Sequence, residues 1–369
     1  MNQLFRWDQM GLFLLALAAG ILPFAVPEVC AAALREGLTL CSGPLLLSLF
    51  PFLVVSRLLI QCPESDLLAL PFRLAAWGIG IRTPCAARVL CIGFLGGFAP
   101  AASAAAQAVR TGQLTAEEAD ALLPACICSG PSFVVLTVGQ SLLGSAELGV
   151  LLFAAQITAN YLTAALLNRF AGVRSVKPES ATPASPAPPR LDEILADAAI
   201  TYCKLCGFIL FFRMLAAGAG ALLPAGAGTL CAILLEVCSG CDLASRTGRW
   251  GSLLCCAALS VQGLSVLLQV RTICPPEMTL RPLYRARMLH LPLSLALFYL
   301  LLPGGEADVF STLPARVLLM RRVPPDCALL VFAVCCMAAC TLRSGIRQVE
   351  QKQMARNAGG CCINSKTLL

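Results

Sequence analysis

The carboxylate of Glu236 lies in the run LCAILLEVCSGCDLAS, with apolar residues before it and small residues after it. A charge at the centre of a bilayer costs about 2.5–3.5 kcal/mol on insertion scales, so such a group must face a partner or a wet cavity. Glu236 is therefore a candidate for coupling to a cation or a proton. The plainer reading is a solvated position near a helix end, because the apolar run before it is short. Arg213, in GFILFFRMLAAG, is the other embedded charge. It can pair with Glu236 or snorkel to the surface.

Two polar stripes have helical spacing. Gln156, Asn160 and Thr163 fall at i, i+4 and i+7, so they share one helix face. Gln262, Ser265 and Gln269 fall at i, i+3 and i+7 and do the same. Amides and hydroxyls on one face can line a path for a polar solute, or they can join membrane helices to each other. A short element also recurs: Cys41-Ser42-Gly43-Pro44, Cys128-Ser129-Gly130-Pro131 and, in part, Cys238-Ser239-Gly240-Cys241. Gly followed by Pro frees backbone polar groups and breaks a helix. Freed groups are tolerated at membrane depth only where they are buried in protein or line a cavity. Breaks at matching places in two halves of a chain point to a transporter site, whereas a single break is a packing kink.

Other chemistries find no residues to rest on. Cys203–Cys206 and Cys238–Cys241 have the CxxC spacing of zinc or redox pairs, but both lie in apolar helical context within a chain of 21 cysteines. The single His290 reads as a packed or interfacial residue. There is no phosphate loop, HExxH or GxSxG pattern, so no enzyme, cofactor or metal is expected. The basic residues give a net charge of +7, yet they sit at the ends of apolar segments and form no aromatic-interleaved stripe. Nucleic acid is not an expected partner.

The elements that must hold these residues are apolar helices. Of 369 residues 58% are hydrophobic and only 13% charged, about half the charged share of a soluble domain. The apolar runs are continuous rather than alternating, which selects helices over a barrel. We read about eight to ten membrane segments, near 11–34, 38–60, 84–109, 122–143, 146–170, 194–223, 226–244, 253–270, 288–302 and 327–342, with an amphipathic piece at 70–81. The first of these could pass for a signal peptide, but Asp8 and Glu28 favour a membrane segment. The stretch 173–189, VRSVKPESATPASPAPP, is too polar and Pro-rich to pack a core. It divides a half at 1–172 from a half at 191–342, and a basic tail at 343–369 is expected on the cytoplasmic side.

The segment GFLGGFAPAASAAAQAVRTGQLTAEEADALLPACICSGPSFVVLTVGQSLLG resembles the core of the YlbJ-type sporulation integral membrane protein family, which carries a nucleoside-recognition, or Gate, domain. Gly96-Gly97-Phe98-Ala99-Pro100 stands for the family's Gly-rich SGYP-type segment. Glu117-Glu118-Ala119 stands for its acidic element, and Cys126-Ile127-Cys128-Ser129-Gly130-Pro131 for NNSGP. LLEVCSG at 234–240 is similar to LLEITxG, and VQGLSVLLQV at 261–270 to GGLSVxxQV. The likeness runs from about Leu34 to His290. Cysteine replaces the Asn residues before Ser-Gly-Pro and the Thr of LLEITxG, so a solute held by those polar groups in relatives would be held differently here.

The resemblance implies a role in endospore formation and a Gate-type, inverted-repeat fold. The expectation is an all-α polytopic cell-membrane protein of two similar halves with broken or re-entrant helices, carrying an unidentified small polar solute. Breaks at Gly97–Pro100, Ser129–Pro131 and Ser239–Gly240 would shape a central cavity. Gln156, Asn160, Glu236, Gln262 and Gln269 would line it. The alternative is a non-transporting scaffold for sporulation-stage envelope assembly. The lipid bilayer is the expected partner, and a homo-oligomer is compatible with the sequence.

Overall fold

The computed structural model describes residues 2–61, 66–171 and 190–302. All but Arg190 of the Pro-rich linker lies outside the described residues, as do the apolar run 327–342 and the tail 343–369. Among the described residues the fold is all-helical, with no strand. Three helices open the chain: α1 (Asn2–Ala25), α2 (Pro27–Ser42) and α3 (Pro44–Gln61). The expected break at Gly43-Pro44 separates α2 from α3. Helix α3 continues through Pro51. Helix α4 (Leu70–Gly78) occupies the amphipathic stretch.

Next come α5 (Pro84–Gly96), α6 (Phe98–Arg110), α7 (Ala116–Cys126) and a π-helix at Ser132–Leu142, followed by the long α8 (Ala146–Ala171). The remainder is α9 (Leu191–Leu222), α10 (Ala225–Leu235), α11 (Val237–Ser245), α12 (Gly251–Val261), α13 (Gly263–Ile273) and α14 (Arg281–Leu301).

Two runs expected to be single segments fold back on themselves. Helix α5 turns into α6 at Gly97, whose φ of 82° and ψ of −164° suit a residue without Cβ. A Cβ on Gly93 would come within 3.2 Å of the Ala101 Cβ, so the two helices lie side by side. The seven alanines of α6, all buried, permit this approach. Likewise α10 turns into α11 at Glu236, and a Cβ on Gly240 would lie 2.8 Å from Ile233 Cα. Two other runs are broken without folding back. Residues 127–131 separate α7 from the π-helix, and Gln262 in the left-handed conformation (φ 66°) separates α12 from α13.

The core is largely apolar, but the exterior is apolar too and several amides are buried. On α8, Gln156, Asn160 and Thr163 are buried, whereas Val150, Leu162, Leu166 and Phe170 are exposed. Phe24, Leu47, Met288 and Leu300 also point outward, each at least 77% exposed. Apolar side chains on the outside and amides within suit a lipid surround. Four helical stretches among the described residues are long and apolar enough to cross a membrane: Pro27–Leu47, Ala146–Ala171, Leu191–Leu222 and Gly248–Ile273. Further apolar helices such as Pro84–Gly96 and Ala225–Leu235 are shorter. The fold-backs account for that shortness in both.

Candidate functional site

Each fold-back presses its tip against a break. A Cβ on Gly97 would lie 2.7 Å from the Gly130 backbone nitrogen, so the α5–α6 tip touches the segment between α7 and the π-helix. A Cβ on Gly263 would lie 3.0 Å from the Glu236 nitrogen, so the α10–α11 tip touches the break between α12 and α13. A cavity of about 50 Å³ lies among these tips and breaks. Gly96 and Phe98 come from the first tip, Ser129 and Gly130 from the first break, Ser132 and Phe133 from the start of the π-helix, and Glu236, Val237 and Cys238 from the second tip. Val266 and Gln269 of α13, Leu45 and Leu49 of α3, and Ile209 of α9 complete the wall.

Glu236 is 2% exposed and caps the N-terminus of α11. One carboxylate oxygen accepts the Cys238 N–H at 2.8 Å. The other accepts the Ser239 N–H at 2.7 Å and the Ser239 hydroxyl at 2.8 Å. The positive end of the α11 dipole stabilises the negative charge there. Glu236→Ala is expected to destabilise the protein by about 1–2 kcal/mol, the usual range for a lost N-cap. Glu236→Gln keeps one acceptor and is expected to cost less, with thermal unfolding in detergent as the measurement.

Arg213 is not its partner. Its guanidinium pairs with Glu36 at 2.9 Å, joining α9 to α2. The break expected at Ser239–Gly240 is also displaced: α11 runs through both residues, and the chain turns at Glu236. A carboxylate that caps the helix after it determines the point of chain reversal. Pro100 is inside the first turn of α6, where its missing N–H costs nothing, so Gly97 makes the turn.

Gln269 lines the cavity and is 1% exposed. Its amide nitrogen donates to Ser265 Oγ at 2.8 Å, and its Oε1 has no hydrogen-bond partner. Gln262 does not belong to the α13 face, because it is the left-handed residue at the break. Its amide donates to the Leu259 carbonyl at 2.8 Å and reaches toward Ser129 Oγ at 3.5 Å.

Gln156 and Asn160 do not line this cavity. They belong to a separate polar layer among α8, α12 and α14. Gln156 Nε2 donates to Ser260 Oγ at 2.9 Å and to the Cys256 carbonyl at 3.2 Å. His290 Nε2 is 3.2 Å from the Gln156 carbonyl, and Ser260 and Ser294 hydroxyls bond each other. These are bonds between helices, the other role open to such a stripe.

The residue that sequence reasoning missed is Arg287 on α14. It is 7% exposed and forms no ion pair among the described residues. Its guanidinium donates to the Ile127 carbonyl at 3.1 Å, Asn160 Oδ1 at 3.2 Å and the Ser260 carbonyl at 3.4 Å. Ile127 closes α7 and Ser260 is in the last turn of α12. Each helix C-terminus carries roughly half a negative charge, so two such ends offset about one guanidinium. Arg287 thus holds both breaks to α14. Its only sequence signal was a charge one turn before an apolar run, which reads equally well as a flanking residue.

Among the described residues, no three His, Cys, Asp or Glu side chains gather to hold a metal. The fold and site define a helical protein with, among the described residues, four helices long and apolar enough to cross a membrane and a small cavity between broken helices. No protein family, curated protein or solved structure matches the chain.

Proposed function

We propose that this chain is a multi-pass cell-membrane carrier that moves a small polar solute through the cavity at the tips of α5–α6 and α10–α11. The supporting observation is the pairing of two folded-back helices with two broken ones. In each half a helix precedes a fold-back (α3, with the short α4 between, before α5–α6; α9 directly before α10–α11). A broken helix follows, then a long helix, α8 or α14. Contacts between the halves are reciprocal: α6 packs on α13 and the π-helix on α11, while α7 packs on α14 and α12 on α8. This is the pattern expected of an internal repeat, and we read it as a Gate-type inverted repeat. Carriers of that design bind solute at discontinuous helices near the midplane and rock one element against another. On this reading, joining half-helices across the breaks restores the larger number of membrane segments. The sporulation role stands with the resemblance of the Gly96–Pro100, 126–131 and 234–240 motifs.

A thermal-shift screen on detergent-purified protein tests the reading. The panel holds nucleosides, nucleobases, amino acids, cell-wall precursors and inorganic salts. A ligand that binds only the folded state stabilises it by about 2.7 kcal/mol at a hundredfold excess over its Kd. The expected result is a hit that weakens in Gln269→Leu and persists in Asn160→Ala, because only Gln269 faces the cavity. A scaffold instead predicts no hit, with both variants losing stability alone. The bonding of Gln156 and His290 between helices is the observation on that side.

A further inference from the structure

We propose that the cavity selects a small monovalent cation rather than a nucleoside, an inference that rests on the carrier reading above and narrows its solute. Three properties of the wall bear on the guest.

The first is charge. Of the residues that form the wall, Glu236 is the only ionisable one apart from the thiol of Cys238, and no Lys, Arg or His is among them. The nearest embedded guanidinium on α9, Arg213, is turned to Glu36. The helix end that would attract an external anion, the N-terminus of α11, is already covered by the Glu236 carboxylate. An anion entering here meets a buried like charge in low dielectric, and a cation meets an opposite one.

The second is hydrogen-bond type. Gln269 Oε1 is buried against the cavity without a partner, because its amide nitrogen is bound to Ser265. A buried acceptor left unmade costs about 1–3 kcal/mol, so a guest that donates to it or coordinates it is favoured. The Glu236 carboxylate, an acceptor-only group when ionised, is on the wall too. Ser129 Oγ is a third oxygen on the wall. The Gln269 amide oxygen and the Glu236 carboxylate are acceptors, the complement of a cation.

The third is size. At about 50 Å³ the cavity has room for a few waters, each needing roughly 10–15 Å³ on this measure. A sodium or ammonium ion fits. Leu45, Leu49, Phe98, Phe133, Ile209 and Val266 make most of the remaining wall apolar, which suits the several hydroxyls of a nucleoside poorly.

Cys238 supplies the test, since it lies on the wall at the second tip. The rate at which methyl methanethiosulfonate converts it to the methyl disulfide, with release of methanesulfinate, is followed by site-resolved mass spectrometry on the full chain in detergent. Sodium chloride or ammonium chloride is titrated against N-methylglucamine chloride at constant ionic strength, with adenosine and uridine in parallel. The expected result is that sodium or ammonium slows the reaction about tenfold at roughly ten times its Kd, and that nucleosides do not. A preference for ammonium over sodium identifies an N–H donor, and the reverse a bare ion. Glu236→Gln is expected to abolish protection. Should that variant fold poorly, Gln269→Leu carries the test and is expected to weaken protection without removing the charge. Protection by nucleosides and not by cations overturns the inference while leaving the carrier reading in place. A Cys238 rate unaffected by every salt overturns it as well, and the sidedness experiment that closes the Discussion then judges the carrier reading alone.

Discussion

Replacing Arg287 with methionine is expected to destabilise the protein by about 3 kcal/mol, since three buried acceptors each lose a donor worth about 1 kcal/mol. Those acceptors are the carbonyls of Ile127 and Ser260 and the Oδ1 of Asn160. The methionine relieves the desolvation of a buried charge, which would favour the variant. That relief is small here, because the ends of α7 and α12 already face the charge with their dipoles. Arg287→Lys is expected to recover only part of the loss. An ammonium keeps the charge but cannot fork to two helix ends at once. Thermal unfolding of both variants in one detergent is the measurement. An Arg287→Met protein as stable as wild type would show that the guanidinium does not hold the two breaks.

Gly97→Ala is expected to be at least as damaging. The conformation at φ 82° and ψ −164° is essentially reserved to glycine and costs other residues on the order of 1–3 kcal/mol. The new Cβ would also lie 2.7 Å from the Gly130 nitrogen, where both sides of the clash are backbone. We expect a loss of about 3 kcal/mol or more and displacement of the first tip from its break. Gly263→Ala meets the Leu235 and Glu236 backbone at 3.0 Å with φ 70°, and is expected to cost about 2 kcal/mol. Gly207→Ala is the control. That position is in the middle of α9 with open space around it, so the substitution is expected to be neutral or stabilising by up to about 1 kcal/mol. Equal effects at Gly97 and Gly207 would mean that the tip does not touch the break.

Much of this architecture was legible in the residues. Continuous apolar runs announced helices, and α8, α9 and α14 lie where they were expected. Gly43-Pro44, Gly97 and Ser129–Pro131 were marked as breaks because Gly and Pro weaken a helix locally. Two breaks were misplaced or missed for one reason: tertiary contacts, rather than local propensity, create them. Glu236 turns the chain because its side chain caps α11, and Gln262 is held in a left-handed conformation against the second tip. Neither residue type breaks a helix by itself. Breaks were expected inside 84–109 and 226–244, but both runs have the length of spanning helices, so nothing in them announced a full reversal. Their reversal depends on Ala and Gly surfaces that find each other only in three dimensions.

The candidate site was half legible. Ser129, Gly130, Glu236 and Gln269 do meet at one cavity, from three separate elements. Gln156 and Asn160 were chosen by the same reasoning, but they bond to α12 and α14 instead. Period alone reports that a face is buried and polar. It does not report whether the face meets another helix or a cavity. Arg287 escaped notice because its acceptors are backbone carbonyls, which leave no pattern in a sequence.

The central claim is that the cavity opens in turn to the two sides of a membrane. The most direct test is the sidedness of Cys238 in proteoliposomes of known orientation. A membrane-impermeant, cationic methanethiosulfonate is added outside in one sample and trapped inside in another, with Cys238→Ser as the blank. The account expects Cys238 to react from either side, and reaction from one side to block reaction from the other. Reaction from one side only, or from neither, would contradict a carrier and leave the protein as a fixed membrane scaffold.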